Sequence, residues 1–162
     1  MQKLIQGLKS RLKSAKRIAL LGVGSELRGD DAAGILVAEA LSKKICRRNN
    51  LKVFLGHTAP ENLTGEIKKF KPQHLIIIDS ADMGKKAGEV SLIDISDLRG
   101  VTFSTHQLPV VIMADYLMQA TGCEISIIGI QPKQLKFDSQ VSQEILKSVK
   151  QLVVGLQQVL RV

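Results

Sequence analysis

Leu4, Ile5, Leu8 and Leu12 recur three or four positions apart with bases between them, which predicts an amphipathic helix over 2–15. From Arg17 to Val23 the chain turns apolar without alternation, the pattern of a strand buried on both faces, and Gly22 and Gly24 close it. A loop through Arg28 and Gly29 leads to Asp30, a good N-cap for a helix reaching about Arg48 with Ile35, Ala38, Leu41 and Ile45 on one face. Residues 52–56 read as a second strand. Pro60 suits the first position of a helix running to Phe70, capped by Thr58 or Ala59, and Pro72 stops it. His74 to Asp79 is the plainest buried strand, and 88–94 is another after a turn at 83–86. Ser104 or Thr105 opens a helix carrying Leu108, Val111, Ile112 and Leu117. Residues 124–130 form the last strand, and Asp138 starts a long final helix with Val141, Ile145, Val149, Leu152, Leu156 and Val159 as its stripe.

Strands alternating with helices predict an α/β fold: three layers, α/β/α, around a twisted, mostly parallel five-stranded sheet. Two strands within 73–94 without a helix between them predict one antiparallel member. The 162 residues fit a single domain, 1–162, with 1–16 as a basic helical extension. At this length a core forms without a disulfide or structural metal. Cys46 and Cys123 have no CxxC spacing and read as buried free thiols in a reducing compartment, which points to the cytoplasm. No apolar run approaches the ~20 residues that span a bilayer, and the N-terminus lacks the separate apolar block of a secretory signal.

The formal charge of +8 invites a nucleic-acid reading. Aromatic residues are only 3%, so base-stacking platforms are scarce. Lys3, Lys9, Arg11, Lys13, Lys16 and Arg17 all precede the first acid, Glu26, and account for six of the eight net charges. The remaining body is mildly basic, and no nucleic-acid partner is expected.

Ligands of parallel sheets bind outside the carboxyl ends of the strands, and three candidate groups fall there. Gly22-Val23-Gly24 resembles the start of a dinucleotide fingerprint, but Leu27 stands where a third glycine belongs. Asp30 and Asp31 would also repel a pyrophosphate at the next helix. Asp30 reads as the helix cap and Asp31 as the functional carboxylate. Asp79 ends the Leu75–Ile78 strand, and Asp82 reads as a turn residue. His106, at the start of a helix, is favoured in its neutral, metal-binding form by the helix dipole. His57 ends a strand and lines the same edge, whereas His74 opens one and lies opposite. Asp31, Asp79 and His106 would leave open positions on a divalent ion, as a functional site requires. Mixed oxygen and nitrogen ligation suits Zn, Ni, Mn or Fe alike. Two aspartates working as acid and base on a peptide or ester stay open beside that reading.

At these residues the chain resembles the nickel–iron hydrogenase maturation endopeptidases, most closely the branch serving hydrogenase 3-type enzymes. The resemblance runs from Ile18 to the final helix. It rests on Gly22-Val23-Gly24 with Leu27-Arg28-Gly29-Asp30-Asp31 and Gly34, on Gly56-His57-Thr58-Ala59-Pro60-Glu61-Asn62, on Ile78-Asp79-Ser80-Ala81-Asp82-Met83-Gly84, on Ser104-Thr105-His106-Gln107-Leu108-Pro109 and on Gly129-Ile130-Gln131-Pro132. Ser25 departs from the asparagine that many members carry.

The resemblance implies an aspartic-type endopeptidase that removes a C-terminal peptide from the hydrogenase large-subunit precursor after nickel insertion. It also implies that Asp31, Asp79 and His106 match the family's metal-contacting positions. The metal would be nickel held by precursor cysteines, or another divalent ion in its place, and the partner the precursor itself, without membrane insertion. Two other classes stay open: a metallochaperone that presents nickel without cutting, and a small-molecule or nucleotide-binding module. The basic helix reads as a solvated face or as a docking element for an acidic patch of the precursor. On the second reading, deleting 1–15 raises the apparent KM.

Overall fold

In a computed structural model, the structure describes residues 1–45, 49–93, 102–103 and 107–162, with 102–103 and 107–109 described through their backbone alone. The chain runs α1 (Gln2–Arg11), β1 (Ile18–Val23), a 3-10 turn (Gly29–Ala32), α2 (Ala33–Ser42), β2 (Leu51–His57), a second 3-10 turn (Pro60–Leu63), α3 (Thr64–Phe70), β3 (His74–Asp82), β4 (Val90–Ile93), β5 (Thr102–Phe103), α4 (Gln107–Thr121), β6 (Glu124–Ile130) and α5 (Gln143–Leu160). The strands lie in the order β2-β1-β3-β6-β4. β1 pairs parallel with β2 and β3, and β3 pairs parallel with β6. β4 is antiparallel to β6, the reversal expected of two strands joined without a helix. A two-residue strand, β5, adds antiparallel to the end of β3 and carries no alternation that a sequence reading could detect.

Alternation along the strands divides the core in two. Leu21, Leu75, Ile77 and Ile127 face α3 and α4, while Leu20, Ile76, Ile78 and Ile128 face α1, α2 and α5. The result is the expected α/β/α sandwich. Leu4 and Leu8 of α1 and Leu12 at its C-cap are buried in the second cluster, so the basic helix packs into the body through its apolar stripe while Lys3, Lys9 and Lys13 remain exposed.

Several element boundaries differ from the sequence pattern, and three have a visible physical reason. α1 stops at Arg11 rather than 15. Gln73 Oε1 accepts the amides of Lys16 and Arg17 at 2.6 and 3.2 Å and draws the chain into β1. α2 ends at Ser42, whose hydroxyl donates back to Glu39 O at 2.8 Å. α5 starts at Gln143, not Asp138, because Asp138 has φ +55° and Ser142 is the N-cap.

Buried polar groups sit away from the carboxyl edge too. His74 lies at the opposite edge, as expected, where its Nε2 and the Ser126 hydroxyl are 2.8 Å apart. Cys123 is a buried free thiol, and burial pushes its pKa up. Cys46 lies outside the described residues.

Candidate functional site

The strand order places a topological switch point between β1 and β3. The chain leaves β1 for β2 on one side, and after β3 it builds β4 and then β6 on the other. The helices that follow pack on opposite faces, α2 with the second core cluster and α4 with the first. Connections that diverge in this way mark the carboxyl ends of the two adjacent strands as the usual ligand position in such sheets.

Asp31 is brought to this position by the short turn after β1. It is fully buried, and its Oδ2 accepts the amide of Ser25 at 3.1 Å. Gly24 makes the approach possible. Its φ is +138°, and a Cβ there would stand 1.9 Å from the Asp31 carbonyl oxygen. Gly34 seats the start of α2 against both strands: a Cβ would lie 2.2 Å from Ile78 O and 2.3 Å from Val23 O. The Gly-rich stretch thus serves backbone packing around Asp31 rather than a phosphate.

Asp79 enters from β3. Strand β3 runs on to Asp82, so Asp79 is not its last residue, a correction to the sequence reading. It is instead the first position beyond the pairing with β1, which stops at Gly22–Ile78, while pairing with β6 continues through Asp79–Gly129. Asp79 is fully buried yet lies one position past the last β1–β3 pair. Its Oδ1 accepts the amide of Ser80 at 2.7 Å. Alternation with Ile77 and Ala81 turns it toward the face covered by α4. His106, the third candidate, directly precedes α4 in the chain and lies outside the described residues. Among the described residues no group of three or more His, Cys, Asp or Glu side chains is gathered to hold a metal.

Asp30 does not cap α2. It sits inside the 3-10 turn, fully buried, and α2 has no side-chain cap. Its Oδ2 accepts the amides of Lys133 and Gln134 at 2.8 and 3.0 Å and the Ser142 hydroxyl at 3.0 Å, while Oδ1 accepts the Ser142 amide at 2.6 Å. One carboxylate thereby ties down the whole loop between β6 and α5. The partners lie more than a hundred positions away, so no local signal announced this role.

Gln131 is the other residue whose work was not legible. Its Oε1 accepts the amides of Met83 and Lys85 at 2.7 and 3.1 Å, and its Nε2 donates to Asp82 Oδ1 at 3.0 Å, bracing the turn beyond Asp79. Asp82 is the last residue of β3, paired with Thr102, rather than the turn residue the sequence suggests, and the bonds from Gln131 and from the Gly84 amide hold its carboxyl below the usual range. His57 reaches the same edge, with Nδ1 3.6 Å from Glu26.

The family model described as HycI, hydrogenase maturation protease, matches residues 35–159. A Methanocaldococcus jannaschii protein carrying a provisional hydrogenase maturation protease name is 39% identical over 152 residues, covering 90% of this chain and 89% of its own. The hydrogenase 3 maturation protease of Escherichia coli is 36% identical over 132 residues, 81% of this chain and 83% of its own. A crystal structure of a [NiFe] hydrogenase maturation protease from Thermococcus kodakarensis superposes with a TM-score of 0.87 at 31% identity, covering 96% of this chain and 99% of that one.

Proposed function

Because this chain belongs to the hydrogenase maturation protease family, we propose that it removes a C-terminal peptide from a hydrogenase large-subunit precursor once nickel has been inserted. The class of reaction comes with the family: the protein is a hydrolase, an endopeptidase that matures hydrogenases. The finer reading concerns what it recognises and which residues act. It is carried by one observation, the two buried carboxylates Asp31 and Asp79 at the switch point between β1 and β3.

Burying carboxylates away from water is costly unless hydrogen bonds or a cation compensate. The Ser25 amide orients the Asp31 carboxylate and the Ser80 amide that of Asp79. Two anionic groups side by side suit a divalent cation, and a precursor presenting nickel brings one. In this reading Asp31, Asp79 and His106 contact nickel already held by precursor thiolates, so the metal arrives as part of the substrate. An incomplete ligand set binds free metal weakly, and only a loaded precursor completes the shell. Nickel also anchors the adjacent peptide, so orientation supplies much of the rate. Water is the nucleophile, activated by an aspartate or by the substrate's nickel. Among the described residues no helix is long and apolar enough to cross a membrane, and the setting proposed is the cytoplasm, where free thiols persist.

The test weighs the precursor by mass spectrometry after incubation with the protein, with and without nickel. Loss of a C-terminal peptide only from nickel-loaded precursor is expected, and Asp31→Asn, Asp79→Asn and His106→Ala should each abolish it. An uncut precursor that has gained nickel would make the protein a metallochaperone. Near-normal cutting by one variant would remove that residue from the mechanism.

A further inference from the structure

Two large apolar side chains stand in water on the loops joined to the Asp30–Asp31 turn, Leu27 at 62% and Phe137 at 73% exposure. Both belong to loops that are tied down. Leu27 lies between Ser25, whose amide is held by Asp31, and Asp30, whose carboxylate holds the loop after β6. The two loops are also joined directly, since the Asp138 amide donates to Leu27 O at 2.8 Å. Around Phe137 the chain closes on itself: the Ser139 hydroxyl donates to Lys136 O at 2.6 Å, and Asp138 takes a left-handed φ of +55°.

Water penalises exposed hydrocarbon, and a mobile loop would let such side chains fold back on the body. Here the backbone is locked by a buried carboxylate while the hydrocarbon is held outward. Such pre-organisation favours a binding surface, because ordering the loop costs nothing further when the partner arrives. Continuity with Asp31 identifies the occupant. The same short loop carries Leu27 and supplies the Ser25 amide that fixes the Asp31 carboxylate.

Resting on the function proposed above, we propose that Leu27 and Phe137 form an apolar seat for a hydrophobic segment of the hydrogenase precursor flanking the cleavage point. They set affinity and register, while the carboxylates act on the bond.

Steady-state cleavage of nickel-loaded precursor by Leu27→Ser, Phe137→Ser and the double variant tests this. Each single change should raise KM about ten-fold, with kcat within about two-fold and the melting temperature unchanged because both side chains are exposed. Leu27→Met and Phe137→Leu should restore KM. Unchanged KM in both serine variants would overturn the proposal while leaving the protease reading intact. So would sedimentation showing a wild-type dimer that both variants dissociate without a change in KM, since the seat would then serve a second copy of this chain. Failure of the wild-type protein to cut the loaded precursor would overturn the protease reading, and this proposal with it.

Discussion

The Ser142 amide donates to Asp30 Oδ1 at 2.6 Å, joining residues 112 positions apart at the point where α5 begins. That contact, with three more on the other carboxylate oxygen, makes Asp30 the anchor of a loop with no regular structure of its own.

Asp30→Ala leaves the amides of Lys133, Gln134 and Ser142 without their acceptor. A loss of about 2–4 kcal/mol is expected, from partly buried donors deprived of a charged partner. Thermal unfolding of the purified variant measures it. A melting temperature equal to that of the unsubstituted protein would mean that water replaces the carboxylate without cost.

His74 gives stability a pH dependence of definite sign. Burial pushes its imidazole below the ordinary value of 6.5. The Glu124 carboxylate, 3.4 Å from Nδ1, pulls the other way, and the nearby Arg11 adds to the lowering. The unfolded chain then takes up the proton first as pH falls. The stability His74 contributes is complete above about 6.5 and is lost as pH drops through the depressed folded value. Urea midpoints at pH 7.5 and 5.5 should therefore differ, and His74→Gln should shrink the difference. An undiminished gap in that variant would place the acid sensitivity elsewhere.

The packing of α1 changes how its charge must be tested. Deleting 1–15 would strip Leu4, Leu8 and Leu12 from the core, so a raised KM would report unfolding as readily as lost docking. Leu8→Ala alone should cost about 2–4 kcal/mol. Replacing the exposed Lys3, Lys9 and Lys13 by Glu leaves that stripe in place. If the helix meets an acidic patch, this variant raises KM at low salt, and the gap closes as salt screens the charges. Equal KM values at low salt would leave α1 a purely structural element.

The central strands were legible because a buried strand is nearly pure hydrocarbon: Leu20-Leu21 and Leu75-Ile76-Ile77-Ile78 admit few other readings. The antiparallel β4 followed from a missing crossover helix. Asp31 and Asp79 were legible as candidates because glycine-marked strand ends map onto the sheet's carboxyl edge, and the structure buries both there. The misses share one cause. Asp30, Gln131 and the true start of α5 are decided by hydrogen bonds between segments distant in sequence, and Asp30 looks like any helix cap until its partners arrive. The apolar run stops at Asp79, but pairing with β6 carries the extended backbone of β3 onward to Ser80. His106 was singled out by its helix-start position alone and lies outside the described residues.

Gly34 lies against the carbonyls of two strands at once, Val23 of β1 and Ile78 of β3. A helix wedged so closely has no room to pivot without breaking into the sheet. The side of the site that carries Asp31 is consequently a fixed jaw, and its span to Asp79 is set by strand spacing rather than by any closing motion. A substrate must bring matching geometry with it.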